Sequence, residues 1–429
     1  MSRPGRPRVV IVGAGFGGLA ASKGLSRAPV DVLLLDRHNY HLFQPLLYQV
    51  SVAALPPGEI AYPVRPIFRR QRNLEFRVAE VSGIDVARRV VRTSAGEISY
   101  DHLVLASGAI TNFFGLDDVA RHGFDLKDLP GALRLRNHVI RRFEEAISTE
   151  DPATRRALLT IAVAGGGPTG VEVAGAVSEL LRRVLRRDYP ALPAGDVRVV
   201  LLEGGPRVLA TFPPDLSRAA ADSLARLGVE VRFGALVEGY DGRRIRLRGG
   251  ETIDARTLVW AAGVRAGPLG ASLGAPLGRA GRVTVEPTLQ VPGHPEVYVI
   301  GDAAVVRAGD GEVPALSPPA IQMGECAARN IARAVASEPP VPFVYHDPGT
   351  MATIGRSAAV CAIAGFEFTG FFEWLVWLFV HLMKLVGFRN KIVVFVDWAW
   401  QYVFYRPASP LIVEVDRPPE GTDSTPQRT

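Results

Sequence analysis

Cysteine is almost missing: the 429 residues hold two, Cys326 and Cys361, with no Cys-x-x-Cys pair and no histidine at zinc spacing. That excludes a disulfide scaffold, a zinc site and a thiol–disulfide active site. The two thiols read as small buried apolar groups. Long hydrophobic runs are missing too, since no stretch reaches the roughly 20 apolar residues that a membrane-crossing helix needs. Positive charge is present but not concentrated. Lys and Arg number 49 against 43 Asp and Glu, a net charge of +6, and they are spread along the chain instead of forming a basic stripe with interleaved aromatics. Nucleic acid is therefore not an expected partner. A mild basic excess suits an anionic membrane surface and an ordinary protein alike. The first residues, Met1 to Arg8 before an apolar run, imitate a signal peptide. An export signal there would consume the first strand of the motif that follows, so the chain is read as cytoplasmic.

What is present is glycine in two ordered clusters. Val9-Val10-Ile11-Val12 runs into Gly13-Ala14-Gly15-Phe16-Gly17-Gly18 and on into Leu19-Ala20-Ala21-Ser22, which is strand, tight turn and helix. Gly13 takes the turn, Gly15 lets backbone N–H groups approach a phosphate, and Gly18 lets helix pack on strand, with the helix N-terminus adding partial positive charge. About two dozen residues on, Asp36 ends a second apolar strand, where a carboxylate can accept from a ribose hydroxyl. The second cluster repeats this logic: Thr160 to Ala164, then Gly165-Gly166-Gly167-Pro168-Thr169-Gly170, then Val197 to Leu202 ending in Glu203. A lone Gly-x-Gly-x-x-Gly is weak evidence, but two complete units make unrelated turns a poor alternative. Glu203 in place of a basic residue favours NADH over NADPH.

The closing strands match as well. Leu103-Val104-Leu105-Ala106-Ser107-Gly108 ends the first unit, and Leu258-Val259-Trp260-Ala261-Ala262-Gly263 ends the second. Glu296 to Ile300 then leads into Gly301-Asp302, a strand returning to the first unit with a carboxylate at the turn. Asp302 there suits the ribityl or phosphate part of a flavin, against the plainer reading of a turn aspartate. The fold class that follows is α/β, with two Rossmann-type dinucleotide-binding domains, the second inserted into the first. The end of the chain differs in kind. Phe371 to Val386 and Lys391 to Tyr405 are apolar, aromatic and interrupted by charge, with Glu373, Trp377, His381 and Lys384 on one narrow helical face, and four of the five tryptophans fall here. An amphipathic anchor in the membrane plane is expected; core helices or a dimer interface are the alternatives. Beyond Asp416 the Pro-, Thr- and Gly-rich composition reads as a disordered tail.

At these motifs the chain resembles the type II NADH:quinone oxidoreductases, single-subunit respiratory flavoenzymes that do not pump protons. The resemblance runs from Val9 to about Tyr405. Its specific carriers are Phe43-Gln44-Pro45-Leu46-Leu47-Tyr48-Gln49-Val50, Leu135-Arg136-Asn137, the second glycine cluster through Glu172, Met351-Ala352-Thr353-Ile354-Gly355-Arg356, Gly387-Phe388-Arg389-Asn390 and Trp398-Ala399-Trp400. It implies FAD on the first unit (Gly13, Gly15, Gly18, Asp36, Gly301, Asp302) and NADH on the second (Gly165, Gly167, Gly170, Glu203). It also implies a membrane quinone as acceptor near the C-terminal region, peripheral attachment to the cytoplasmic face through residues about 371–405, and a homodimer. Glu172, on the first helical turn after the second loop, would face the meeting place of flavin and nicotinamide. Its plainer reading is an acid placed at a helix N-terminus by the dipole. Glu172 and Gln322 are the residues expected to act in the two half-reactions.

One departure stands out. The family's quinone-side motif commonly reads Ala-Gln-x-Ala-x-Gln, whereas this chain has Ser317-Pro318-Pro319-Ala320-Ile321-Gln322. Gln322 remains and the earlier glutamine is a proline, which keeps open an NADH-dependent flavoprotein with another acceptor, or a non-catalytic flavoprotein docking to membrane. The expected layout is 1–112 as the first part of the FAD domain, 113–157 as a connector helix and 158–280 as the NADH domain. Residues 281–345 are the rest of the FAD domain, 346–410 the anchoring and quinone-side region, and 411–429 the tail.

Overall fold

The computed structural model describes residues 5–181, 186–308, 311–363, 365–404 and 411–412; the stretch expected to be a tail beyond Asp416 lies outside them. The apolar β-branched runs form strands and the small-residue segments after the glycines form helices. Strand β1 (Arg8–Val12) leads into helix α1 (Phe16–Gly24), followed by β2 (Asp31–Asp36), a short helix α2 (Leu47–Ser51), β3 (Leu74–Val78) and β4 (His102–Leu105). Helix α3 (Leu129–Ile147) joins the units, begun by the Asp128 carboxylate accepting from the Gly131 N–H at 2.7 Å. The expected connector helix is thus flanked by two shorter ones, Asp117–His122 and Pro152–Leu159.

The second unit repeats the order with β5 (Thr160–Ala164), α4 (Pro168–Glu179), β6 (Arg198–Glu203), β7 (Val229–Phe233) and β8 (Thr257–Trp260). Its parallel strands lie as β8-β5-β6-β7, the counterpart of β4-β1-β2-β3 in the first sheet. Each unit also carries a three-stranded antiparallel meander, residues 81–99 in the first and 237–254 in the second. The chain then returns: β9 (His294–Val299) pairs in parallel with β4 through Val297–Leu103, Tyr298–Val104 and Val299–Leu105. Strands buried on both faces read as continuous apolar runs, as parallel sheets covered by helices require. Helix α5 (Ser317–Val335) covers α1 so closely that a Cβ on Gly324 would overlap the Gly17 carbonyl oxygen.

The C-terminal region is a small antiparallel sheet, β10 (Thr350–Thr353), β11 (Ala359–Ile363) and β12 (Phe366–Gly370), followed by helices α6 (Phe371–Lys384) and α7 (Phe388–Phe404). Trp374 and Trp377 join a buried cluster with α2, α3 and the second unit, and Asn390 Nδ2 donates to the Gly58 and Glu59 carbonyls at 3.0 Å each. The tryptophans expected at a headgroup boundary are mostly turned inward. Trp377 is 1% exposed and Trp374 9%, whereas Phe372 is 76%, Phe379 64% and Phe388 79% exposed. Helix α6 therefore buries the stripe that holds Trp377 and His381 and presents phenylalanines outward. The physical reason is that the Trp377 ring packs in that apolar cluster and stacks on His381, whose Nδ1 bonds the Trp377 carbonyl. Among the described residues no helix is long and apolar enough to cross a membrane.

Candidate active site

Two loops of identical construction define the site. At Gly13 and Gly165 the backbone takes φ of 107° and 105°, conformations that a side chain rarely allows. A Cβ on Gly18 would overlap the Gly13 carbonyl oxygen, and one on Gly170 the Gly165 oxygen, so these glycines set the helix against the strand. Gly15 and Gly167 differ. Each has an ordinary φ of −72°, and a Cβ built there would meet nothing within 4 Å. Protein packing does not demand glycine at either position; a dinucleotide pressed against the loop does. Ser107 Oγ, after the end of β4, and His38 Nε2, after β2, are buried polar atoms without a partner, which suits a polar ligand such as FAD.

The two acids close the loops. Asp36 Oδ2 accepts from the Ala14 N–H at 2.6 Å and Oδ1 from the His38 N–H at 2.7 Å. Glu203 repeats this, with Oε2 accepting from Gly166 N–H at 2.5 Å and Oε1 from Gly205 N–H at 2.6 Å. Reading the sequence for ribose contacts missed this second duty, which fixes loop to strand before any ligand arrives. His41, 2% exposed, supports the first loop from below through Nδ1 and the Ala14 carbonyl at 3.0 Å; burial lowers its basicity.

The returning strand brings Gly301 and Asp302 to the first loop. Gly301 has φ 67°, and Ala320 of α5 lies against both Gly17 and Gly301. Asp302 is 3.8 Å from Lys127 Nζ. Gln322 sits on the same helix with both ends of its amide taken: Nε2 donates to the His346 carbonyl at 2.8 Å and Oε1 accepts from the His346 N–H at 3.0 Å. Gln322 thus fastens the segment that leads into β10.

Glu172 lies on the first turns of α4, partly accessible, among apolar neighbours. Burial pushes its carboxyl from the ordinary 4.5 up to about 8, against a smaller opposing effect of the Thr353 backbone N–H that it accepts. A hydrogen-bonded series leads away from it that sequence reasoning did not single out: Tyr48 Oη to Thr353 Oγ1 at 3.2 Å, Gln49 Nε2 to Tyr48 Oη at 3.1 Å, and Trp398 Nε1 to Gln49 Oε1 at 2.8 Å. Tyr48, Gln49 and Trp398 border a cavity of about 70 Å³ walled also by Trp374, Trp377 and Tyr402, with the Glu179–Arg356 pair at 3.7 Å on its edge. Trp377 Nε1 is buried with no partner, a donor available to an acceptor oxygen. His381 stacks on Trp377 at 3.9 Å and bonds its carbonyl; burial drives it down to about 4, so it is neutral.

Two outcomes test this geometry. Gly15→Ala should leave the melting temperature of flavin-free protein unchanged while weakening flavin retention roughly tenfold or more, whereas Gly18→Ala should cost about 3 kcal/mol of stability by overpacking. Flavin-to-protein absorbance after gel filtration, with thermal melts, separates them; Gly15→Ala holding flavin like the parent would contradict the assignment. The second concerns Glu172. Between pH 5 and 8 the folded protein keeps a proton that the unfolded chain has released, so stability falls as pH rises, by up to about 1.4 kcal/mol per unit. Glu172→Gln lacks that loss, and its advantage in urea denaturation should grow from pH 5 to 8. A constant difference would show the carboxyl to be ionised throughout.

Comparisons with known proteins agree with this construction. Residues 7–324 match the family described as pyridine nucleotide-disulphide oxidoreductase, and residues 348–407 the NDH2 C-terminal domain. The chain is 41% identical over 418 residues to the type II NADH:quinone oxidoreductase Ndh of Mycobacterium tuberculosis, covering 94% of this chain and 89% of that one, and 41% identical to NdhA of the same organism over 93% and 88%. The structure of NDH2 from Plasmodium falciparum in complex with NADH shares the fold, with a TM-score of 0.85 and 19% identity over 94% of this chain and all of that one. By the 41% identity to Ndh and NdhA over nearly the whole of each chain, this chain belongs to the type II NADH:quinone oxidoreductases.

Proposed function

We propose that this chain oxidises NADH and passes two electrons through FAD to a membrane quinone without pumping protons, and that it does so at the cytoplasmic face of the membrane as a homodimer. The observation that carries the reading is the pair of glycine loops, each open where a Cβ would point and each closed by its own carboxylate. The first loop, Asp36, Gly301 and Asp302 would hold FAD; the second loop and Glu203 would hold NADH. When bound, FAD supplies hydride acceptance from the nicotinamide and electron delivery to the acceptor, so the protein needs no nucleophile or acid–base triad. Its own residues position the partners and manage charge. Glu172, neutral over most of the physiological range by virtue of its burial, adds no negative charge beside the site and can hold or release one proton there.

The outward face of α6 and α7 supports peripheral attachment. Phe372, Phe379, Phe388 and Phe395 are each exposed, and outward phenylalanines on amphipathic helices favour the headgroup–acyl boundary. Gln322 is assigned to the acceptor side, acting through the His346 segment that it fastens. An acceptor other than quinone is the second reading, favoured by Pro318, where the family resemblance implies glutamine; turnover of flavin-loaded protein with NADH and a soluble quinone analogue decides between them.

Two measurements examine the residue assignments. Glu203 places negative charge where the 2′-phosphate of NADPH would lie, so kcat/KM should favour NADH by roughly tenfold or more, and Glu203→Ala should narrow the gap; a parent enzyme preferring NADPH would refute this. In Gln322→Leu, anaerobic stopped-flow reduction by NADH should keep its rate while reoxidation by quinone slows roughly five- to 150-fold, the kinetic equivalent of about 1–3 kcal/mol. Equal slowing of both phases would remove Gln322 from the acceptor side.

A further inference from the structure

Two short strands carry the chain between the units, Ala109–Thr111 and Val264–Ala266, paired antiparallel. The loop after the first of them holds a strained aromatic residue. Phe114 has φ 52°, a left-handed conformation that a bulky side chain rarely adopts. The bonds around it impose that conformation. Asn112 Oδ1 accepts from the Phe114 N–H at 3.0 Å, the Asn112 N–H donates to the Gly263 carbonyl at 3.0 Å, and Trp260 Nε1 donates to the Asn112 carbonyl at 2.8 Å. Packing does not account for the strain. Phe113 stacks on Trp260 at 6.1 Å, whereas the Phe114 ring is 62% exposed, so burial offsets little of the cost. The ring does lie against Gly263, where a Cβ would stand 3.1 Å from Phe114 Cζ.

Gly263 follows the end of β8, beside the second glycine loop. A Cβ on Gly165 would come within 2.7 Å of the Ala261 and Ala262 backbones, so residues 261–263 and the loop share one edge of the sheet. Strands β8 and β6 flank β5 on opposite sides. A dinucleotide lies across the carboxyl ends of such strands, with its pyrophosphate at the glycine turn and its adenosine ribose at the acid that ends the next strand. With Glu203 at the end of β6, the other half lies over the end of β8, where Gly263 meets Phe114. We infer that Phe114 is a binding residue for the nicotinamide half of NADH, its ring held out on strained backbone to cover that half at the end of β8. The inference rests on the assignment of NADH to the second loop proposed above. Backbone strain that the surrounding bonds over-determine is the form a pre-set ligand contact takes, and an aromatic face suits a flat heteroaromatic ring.

The test uses the full-length, FAD-loaded protein and two ligands: tetrahydro-NAD, a whole dinucleotide that cannot give hydride, and ADP-ribose, which lacks the nicotinamide ring. Titration calorimetry compares the parent with Phe114→Asn, which tolerates the left-handed backbone but has no ring, and with Phe114→Tyr, which keeps one. Phe114→Asn should melt no lower than the parent, bind tetrahydro-NAD roughly three- to tenfold more weakly and bind ADP-ribose as before. Phe114→Tyr should bind both ligands like the parent. Undiminished binding of tetrahydro-NAD by Phe114→Asn, equal weakening of both ligands, or failure of that variant to fold overturns the inference and assigns the ring to the crossover itself. A parent that binds neither ligand refutes the assignment of NADH to the second loop, and the inference falls with it.

Discussion

Each nucleotide loop is pinned by one carboxylate at the end of the neighbouring strand, and the rest of the site inherits its position from that pin. Charge-assisted bonds from Asp36 to the Ala14 N–H and from Glu203 to the Gly166 N–H are short and of the stronger kind, about 1.5–3 kcal/mol each. They hold the glycine turn against the sheet, which orients the helix that follows. In the first unit that helix is α1, and α5 packs on it through Gly17, Gly24 and Gly324. Since α5 follows the Gly301-Asp302 turn, the pin at Asp36 ultimately locates a carboxylate contributed from far along the chain. In this structure Asp36 and Glu203 act as structural pins.

Local chemistry was legible in the sequence. The strand–glycine–helix–acid order appears twice because every term of it is decided within a few residues: a turn with positive φ, a helix that must approach a strand, an apolar strand with one acid at its end. Gly301-Asp302 could be placed because the strand before it was apolar and followed the completed second unit. What stayed hidden depends on distant pairings. Tyr48 meets Thr353, Gln49 meets Trp398 and Gln322 clamps His346, and no spacing rule announces such contacts. The segments around Tyr48 and Thr353 supported the family resemblance without revealing that they touch.

Helix α6 shows why amphipathicity can be assigned to the wrong side. A helix with one narrow stripe of Glu373, Trp377, His381 and Lys384 ordinarily turns that stripe to water. Here the aromatic and imidazole members face the protein, which satisfies or stacks them, and the apolar majority faces outward. Polarity alone does not distinguish a core helix from a helix on a lipid surface; the size and hydrogen-bonding needs of the minority residues do.

That inverted helix has a practical corollary. The outer face of α6 and α7 and the wall of the cluster that they bury with α2 and α3 lie on the same two helices, so the apolar surface is not an appendage that can be cut away. Removing the helices would open the cluster that Trp374, Trp377 and Val394 close and expose the cavity beside Gln49. A less apolar outer face is better sought by exchanging outward side chains such as Phe372, Phe379, Phe388 and Phe395 for polar ones while every inward tryptophan stays in place.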